Sequence, residues 1–354
     1  MTEASSSPRT AIVLFNLGGP DRPEAIRPFL KNLFTDPAIL RVPFFIRPFL
    51  ARWIARARLA PATANYAYLG GKSPLLELTQ RQAAALSACF EEGSTRVFIA
   101  MRYWHPFSVE TAREVAAWRP ERVLLLPLYP QFSTTTTASS LIAWREAAAK
   151  SGLIAPVTTL CCWPDDPAYV AAAAALIRKT LSEAHRTLPA GTPLRLLFSA
   201  HGLPEVIVAR GDPYQAEVEA TAHAVAAALD EPGLDWRVCY QSRATPQKWL
   251  EPSTESEIER AARDHVALVV APIAFVSEHS ETLVELDIEY AEMAARHALP
   301  GYFRVPAQND DPGFIKALAA LARNALARGP GLCSHRGGRV CAASHTGCPF
   351  GAER

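Results

Sequence analysis

The 354-residue sequence has almost no net charge: 36 Lys and Arg stand against 35 Asp and Glu, leaving +1. Generic nucleic-acid binding needs a basic excess to offset phosphate charge, so no nucleic-acid partner is expected. No uninterrupted apolar run reaches the roughly 18 residues of a spanning helix. The opening MTEASSSPRT lacks the charged and apolar regions of a signal peptide. Cysteine is sparse and odd in number, at seven. That argues against a disulfide scaffold and for a reducing, cytoplasmic setting with thiols kept for packing or metal. Several common motifs are also missing. Gly70-Gly71-Lys72-Ser73 has the end of a P-loop, but Tyr66 stands where the first Gly is required. There is no His-Glu-x-x-His and no Gly-x-Ser-x-Gly. Gly18-Gly19 is not a dinucleotide fingerprint.

What the sequence does have is a series of short apolar runs, at 11–15, 97–101, 123–128, 194–198, 236–240 and 266–275. They are too short for helices and too apolar for half-exposed strands, so they read as buried parallel strands. Helical stretches alternate with them, at 75–90, 108–118, 169–187, 214–229 and 255–263. The expected fold is an open α/β sheet architecture with ligands beyond the carboxyl ends of the strands. A weak internal repeat divides it into two halves. Leu14–Pro20 matches Phe198–Pro204, and each half has a later strand ending in Pro, at Pro127 and Pro272. The Pro-to-Pro span is 107 positions in the first half and 68 in the second, so the first carries 39 extra. The excess coincides with 39–60, which interleaves Arg41, Arg47, Arg52, Arg56 and Arg58 with Phe44, Phe45, Phe49 and Trp53. Such a segment suits a membrane surface or an amphiphilic ligand bearing carboxylates. The alternative is a helix packed on the core with a solvated Arg face.

Three constellations carry chemistry. His201 follows the strand 194–198, with Gly202 allowing a sharp turn, and can accept a proton or bind a transition metal. After the strand 266–275, Ser277 reads as an N-cap. Glu278, Glu281, Glu285, Glu289 and Glu292 then form one acidic helix stripe with His279 near its head. The stripe could pass a divalent cation or protons, and its alternative is a solvated charged face. His201 and Glu281 sit at crevice-side strand ends of the same half. The loops at Arg102-Tyr103 and 133–140 occupy the corresponding ends of the first half and could anchor anions. In the tail, Cys333, Cys341 and Cys348 fall within 16 residues among small side chains and read as metal ligands. Cys161, Cys162, His335 and His345 are candidates for the fourth position. An all-thiol set suggests an iron–sulfur cluster, and a histidine suggests zinc.

Together, Asn16-Leu-Gly-Gly-Pro20, Arg102-Tyr-Trp-His-Pro106, Leu128-Tyr-Pro-Gln-Phe-Ser133, Phe198-Ser-Ala-His-Gly-Leu-Pro204 and Phe275-Val-Ser-Glu-His-Ser-Glu-Thr-Leu283 resemble the ferrochelatases. The resemblance implies insertion of Fe²⁺ into protoporphyrin IX with release of two protons. It also implies two Rossmann-like, chelatase-type halves with parallel sheets and a cleft between them. On that reading 9–160 is the first half with the lip 39–60, 161–328 is the second, and 329–354 is a Cys-bearing tail. His201 matches the family's active-site histidine and Glu281 the acid opposite it, with Glu278 and His279 as neighbours in the motif. Tyr66 and Ser73 match porphyrin-contacting positions, and Arg56 or Arg58 matches the propionate-binding arginine. Arg102, Tyr103 and Tyr129 are further porphyrin-site candidates. The metal route is expected through His201, Glu281 and Glu285. A [2Fe–2S] cluster is implied on Cys333, Cys341, Cys348 and either Cys161 or Cys162, because Thr134 stands where the animal enzymes have their internal Cys. The lip is expected at the inner face of a membrane, and a homodimer is left open. The competing readings are a coproporphyrin III ferrochelatase and a non-catalytic tetrapyrrole carrier.

Overall fold

The computed structural model describes residues 8–243 and 247–351, so the last three residues of the expected tail lie outside it. Among the described residues, nine strands run in chain order as β1 (Thr10–Asn16), β2 (Thr95–Met101), β3 (Arg122–Pro127), β4 (Val157–Leu160), β5 (Leu194–His201), β6 (Asp235–Gln241), β7 (Ala267–Pro272), β8 (Tyr302–Arg304) and β9 (Gly331–Cys333). Every named pairing is parallel. They form two sheets, ordered β2-β1-β3-β4-β9 and β6-β5-β7-β8. The helices are α1 (Ile26–Thr35), α2 (Arg47–Tyr68), α3 (Leu75–Ser87), α4 (Ser108–Trp118), α5 (Thr137–Lys150), α6 (Pro167–Thr187), α7 (Glu205–Ala209), α8 (Tyr214–Leu229), α9 (Thr254–Asp264), α10 (Tyr290–Arg296) and α11 (Pro312–Ala327).

The internal repeat is visible in the topology. β1, β2, β3 and β4 take the same places in the first sheet as β5, β6, β7 and β8 in the second. The register agrees as well: Phe15 lies opposite Pro127, and Ser199 lies opposite Pro272. These are the pairs that the aligned Pro residues require. The extra length of the first half is largely α2. Pro48 does not interrupt it but stands in its first turn, where a missing N–H costs nothing. Pro61 is carried inside the helix.

Central strands are covered on both faces, which is why β1 is apolar from Ala11 to Phe15 and wholly buried. One continuous core joins Leu14 and Leu126 of the first sheet to Phe198 and Val269 of the second, with α6, α8 and α11 between them. Both α6 and α11 begin with an Asp-Pro pair. Asp166 accepts from the N–H groups of Ala168 and Tyr169, and Asp311 from those of Gly313 and Phe314. Trp163, Tyr169 and Phe314 pack at the junction with centroids 4.9 to 6.5 Å apart. The chain after α11 returns to the first sheet, where Cys333 pairs with Leu160. The start of the expected tail is thus a sheet strand.

Candidate active site

β5 ends at His201, whose side chain is about one-third exposed. Its Nδ1 lies 2.6 Å from the Gly202 carbonyl oxygen. A carbonyl can only accept, so Nδ1 carries a proton, and in the neutral imidazole Nε2 is left as the acceptor. Nε2 lies 3.7 Å from Glu281 Oε2. Phe275 and Trp249 flank the imidazole, with centroids 6.3 and 6.5 Å away. Gly202 serves by absence of bulk: a Cβ there would meet the Gln241 carbonyl at 3.0 Å and the Trp249 ring at 3.2 Å.

The acidic segment departs from the sequence expectation. Ser277 does not cap a helix; its hydroxyl donates to Gln82 Oε1 at 3.1 Å, tying the two halves together. Regular helix begins only at Glu281 and runs to Glu289 as a π-helix. Its wider turn keeps Glu281, Glu285 and Glu289, four residues apart, near one line, and such turns occur often at functional sites. Glu278 lies before the helix and is turned away from His201. Its Oε1 pairs with Arg304 and accepts the Ala307 N–H at 2.8 Å. Arg304 also forks onto both oxygens of Asp287 at 2.5 Å. His279 Nδ1 accepts the Glu281 N–H at 3.0 Å, so the imidazole sets the first turn. Burial holds its pKa below the ordinary histidine value. Its Nε2 is buried without a partner.

Glu285 is held by the protein. Oε2 accepts from Gln241 Nε2 at 3.0 Å and from the Ser242 hydroxyl; Oε1 accepts from the Ser242 N–H and the Tyr290 hydroxyl, both at 2.9 Å. Sequence reasoning missed Gln241. It ends β6 beside His201, is fully buried, and donates also to the Glu281 carbonyl at 3.0 Å. Its Oε1 accepts from Ser199 Oγ at 2.7 Å. The strand-end rule that singled out His201, applied to the strand at 236–240, points to it.

The first half supplies Tyr66 at the end of α2. Burial pushes its phenol up to about 12, and the Ser280 hydroxyl and Glu281 are its neighbours. The lip helix therefore reaches the acidic turn. Ser73 is buried against Gly19, where an added Cβ would meet it at 2.5 Å. Arg56 and Arg58 are exposed on α2. Arg102 and Tyr103 are already engaged: both bond Asp36 Oδ2, at 2.7 and 2.8 Å, and Arg102 Nε donates to Ser139 at 2.6 Å. The buried Asp36 carboxylate thus faces the Arg102 guanidinium, whose side chain remains about one-quarter exposed. Burial raises the pKa of the Tyr129 phenol, whose oxygen has no partner.

A second group of side chains gathers where the tail meets β4. Cys161 and Cys162 Sγ are 3.5 Å apart, and the Cys161 N–H donates to the Cys333 carbonyl at 2.8 Å. The free thiols of Cys341 and Cys348 are hydrogen-bonded to each other, and Cys341 lies close enough to perturb Cys162. The Cys341 bond, with the Phe350 N–H and Arg339, holds the Cys348 thiol down to about 7. His335 Nε2 pairs with Asp165 at 2.8 Å, while its backbone N–H donates to the Cys162 carbonyl at 3.1 Å. Among the described residues no three His, Cys, Asp or Glu side chains stand in metal-holding geometry. The thiols share one corner, and closing on a metal needs them drawn further together.

Two similar α/β halves, a strand-end imidazole and a facing carboxylate on a π-helix define a protein of the metal-chelatase class. The fold agrees with solved chelatases. SirB from Bacillus subtilis with Fe³⁺ superposes with a TM-score of 0.54 at 11% identity, covering 90% of this chain and 96% of that one. The sequence narrows the class. The ferrochelatase family model matches residues 9–326. A ferrochelatase of Caulobacter vibrioides is 51% identical over 96% of this chain and 97% of its own, and one of Phenylobacterium zucineum is 50% identical over 96% and 99%. The chain belongs to the ferrochelatase family, and its activity is insertion of Fe²⁺ into a porphyrin. That sets aside the carrier reading.

Proposed function

We propose that the porphyrin is protoporphyrin IX and that His201 accepts the first pyrrole proton. One observation supports the assignment: the Nδ1 bond to Gly202 leaves Nε2, 3.7 Å from Glu281, as the ring atom that can take up a proton. Metal insertion releases two protons, so the site needs acceptors that hold charge once they are loaded. A proton taken at Nε2 makes an imidazolium 3.7 Å from the Glu281 carboxylate, which stabilises it. Glu281, Glu285 and Glu289 then lead outward to the exposed end of the line, a route for protons leaving or Fe²⁺ arriving. Glu285 acts in this route by holding Gln241 and Ser242 in place. His279 orients the first turn of the π-helix, and Glu278 anchors its approach through Arg304. Tyr66, Arg56 and Arg58 are assigned to the porphyrin, and Ser73 to the backing of Gly19.

The lip supports the choice of protoporphyrin. Phe44 (78% exposed), Phe45, Phe49 and Trp53 stand out in solvent beside Arg52 and Arg56. Protoporphyrin IX has two carboxylates and an apolar vinyl edge, where coproporphyrin III has four carboxylates. An apolar lip with a few arginines suits the former. The same surface suits peripheral contact with a bilayer. No helix among the described residues is long and apolar enough to cross one. We assign to the thiol corner a [2Fe–2S] cluster on Cys333, Cys341, Cys348 and one of Cys161 and Cys162, formed once the thiols are drawn together; the gathering of the thiols supports it. The donors are all sulfur, and His335 is committed to Asp165. Such a cluster would add electron-transfer or structural capacity at that corner.

The substrate assignment is tested by comparing kcat/KM for the two porphyrins under anaerobic conditions. A preference of about tenfold or more for protoporphyrin IX is expected, and a preference for coproporphyrin III refutes it.

A further inference from the structure

The turn before α8 joins the tail to His201. The Asp212 carboxylate is almost wholly buried. Its Oδ2 accepts from Ser133 Oγ at 3.0 Å, Thr134 N–H at 2.8 Å and Thr134 Oγ1 at 2.6 Å; its Oδ1 accepts the Tyr214 N–H at 3.0 Å. The preceding residue, Gly211, has φ +92° and lies under the tail. Gly347 N–H donates to its carbonyl at 2.9 Å, and Thr346 Oγ1 donates to Arg210 at 3.3 Å. A Cβ on Gly211 would meet the Thr346 nitrogen at 2.7 Å. From the far side of the same turn, the Tyr214 hydroxyl donates to the His201 carbonyl at 3.0 Å.

That carbonyl belongs to the peptide linking His201 to Gly202, and the peptide is planar. Its N–H is bonded to the Gln241 carbonyl at 2.8 Å. The plane is thus gripped at the oxygen by Tyr214 and at the nitrogen by Gln241. The next carbonyl, of Gly202, holds the imidazole Nδ1. Fixing this peptide fixes the backbone that carries His201 and the Gly202 Cα from which the next carbonyl reaches the imidazole.

We propose that the tail positions His201 through Gly211, Asp212 and Tyr214, with Tyr214 as the positioning residue. The contact is made by Thr346 and Gly347, which are not sulfur residues, so it can be perturbed with every cysteine in place. The inference rests on His201 as the proton acceptor for its effect on rate, but not for the coupling itself.

The test uses the full chain with Gly347→Ala, Tyr214→Phe and the double variant. An Ala Cβ at 347 would meet the Gly211 oxygen at 3.0 Å and Thr134 Cγ2 at 3.2 Å. Thr346→Val, which loses only the hydroxyl, replaces Gly347→Ala if that variant fails to fold. Each single change is expected to lower kcat about three- to tenfold, for Tyr214→Phe the worth of one hydrogen bond, with porphyrin KM within about twofold. The double variant should lose no more than about the worse single, because both act on one peptide. Amide exchange at Gly202 should quicken in each. Wild-type kcat in either single variant, multiplying losses, or unchanged Gly202 exchange overturns the coupling. Turnover retained by His201→Ala refutes the acceptor assignment instead, and the exchange measurement still judges the coupling.

Discussion

Replacing Gln241 with Leu removes a buried amide of similar volume and breaks three hydrogen bonds. Two are between neutral groups, with Ser199 Oγ and with the Glu281 carbonyl; the third is with the Glu285 carboxylate. At about 0.5–1.5 kcal/mol for each neutral bond and 1.5–3 for the charged one, the variant loses about 2.5–6 kcal/mol of stability. The functional effect is separate. The Glu281 carbonyl opens the π-helix, and its carboxylate stands 3.7 Å from His201 Nε2. Releasing the carbonyl lets the carboxylate drift. A displacement of about 1 Å at a reacting group costs up to about 100-fold in rate, so kcat should fall 10- to 100-fold. The assay is steady-state metallation at a temperature well below the lowered unfolding midpoint, with porphyrin and Fe²⁺ varied separately. Ser242→Ala is the control, since it removes one Glu285 partner and leaves the Glu281 carbonyl held. It should lose less than about fivefold. A Gln241→Leu variant that is less stable but keeps wild-type kcat would show that Gln241 only supports the fold.

Arg304→Met leaves Glu278 buried without its charge partner. It should cost about 3–5 kcal/mol, read as a lowered unfolding midpoint that Glu278→Gln in the same chain partly restores. Tyr66→Phe removes the hydroxyl beside Ser280 and Glu281 and is expected to raise porphyrin KM about three- to tenfold with little change in kcat, measured by steady-state kinetics. Arg195 bonds Asp235 and Asp264 at 2.6 and 2.8 Å, and its bond holds the Asp264 pKa below the usual 3.8. A depressed carboxylate contributes stability above its unfolded pKa and loses it as pH falls through the folded value. Arg195→Met should therefore melt earlier than wild type at pH 7, and the gap should narrow as pH falls below about 3.8, followed by thermal unfolding across pH.

Much of this fold was legible because buried parallel strands announce themselves as apolar runs. The Pro127 and Pro272 match located equivalent strands in the two halves, and the observed register bears it out. The strands that escaped notice, β4, β8 and β9, are three or four residues long and carry no periodicity of their own. The run 266–275 reads as one strand in the sequence, but pairing stops at Pro272, and the next residues turn toward the π-helix. At the site, strand-end position picked out His201 and family pattern picked out Glu281. Neither separates Glu281, open to His201, from Glu278, six residues past Pro272 and captured by Arg304. That distinction depends on Arg304 arriving on β8, which no local pattern reveals. Tyr214 was likewise hidden, since its role lies in where its hydroxyl ends.

The central claim is that His201 takes a proton as iron enters the ring. It is tested most directly by following the visible spectrum of protoporphyrin IX with Fe²⁺ under anaerobic conditions, for wild type and His201→Ala. The account predicts that four Q bands collapse to two over many turnovers in wild type, and that His201→Ala binds porphyrin but leaves the four bands unchanged. Collapse at the wild-type rate in His201→Ala would contradict it.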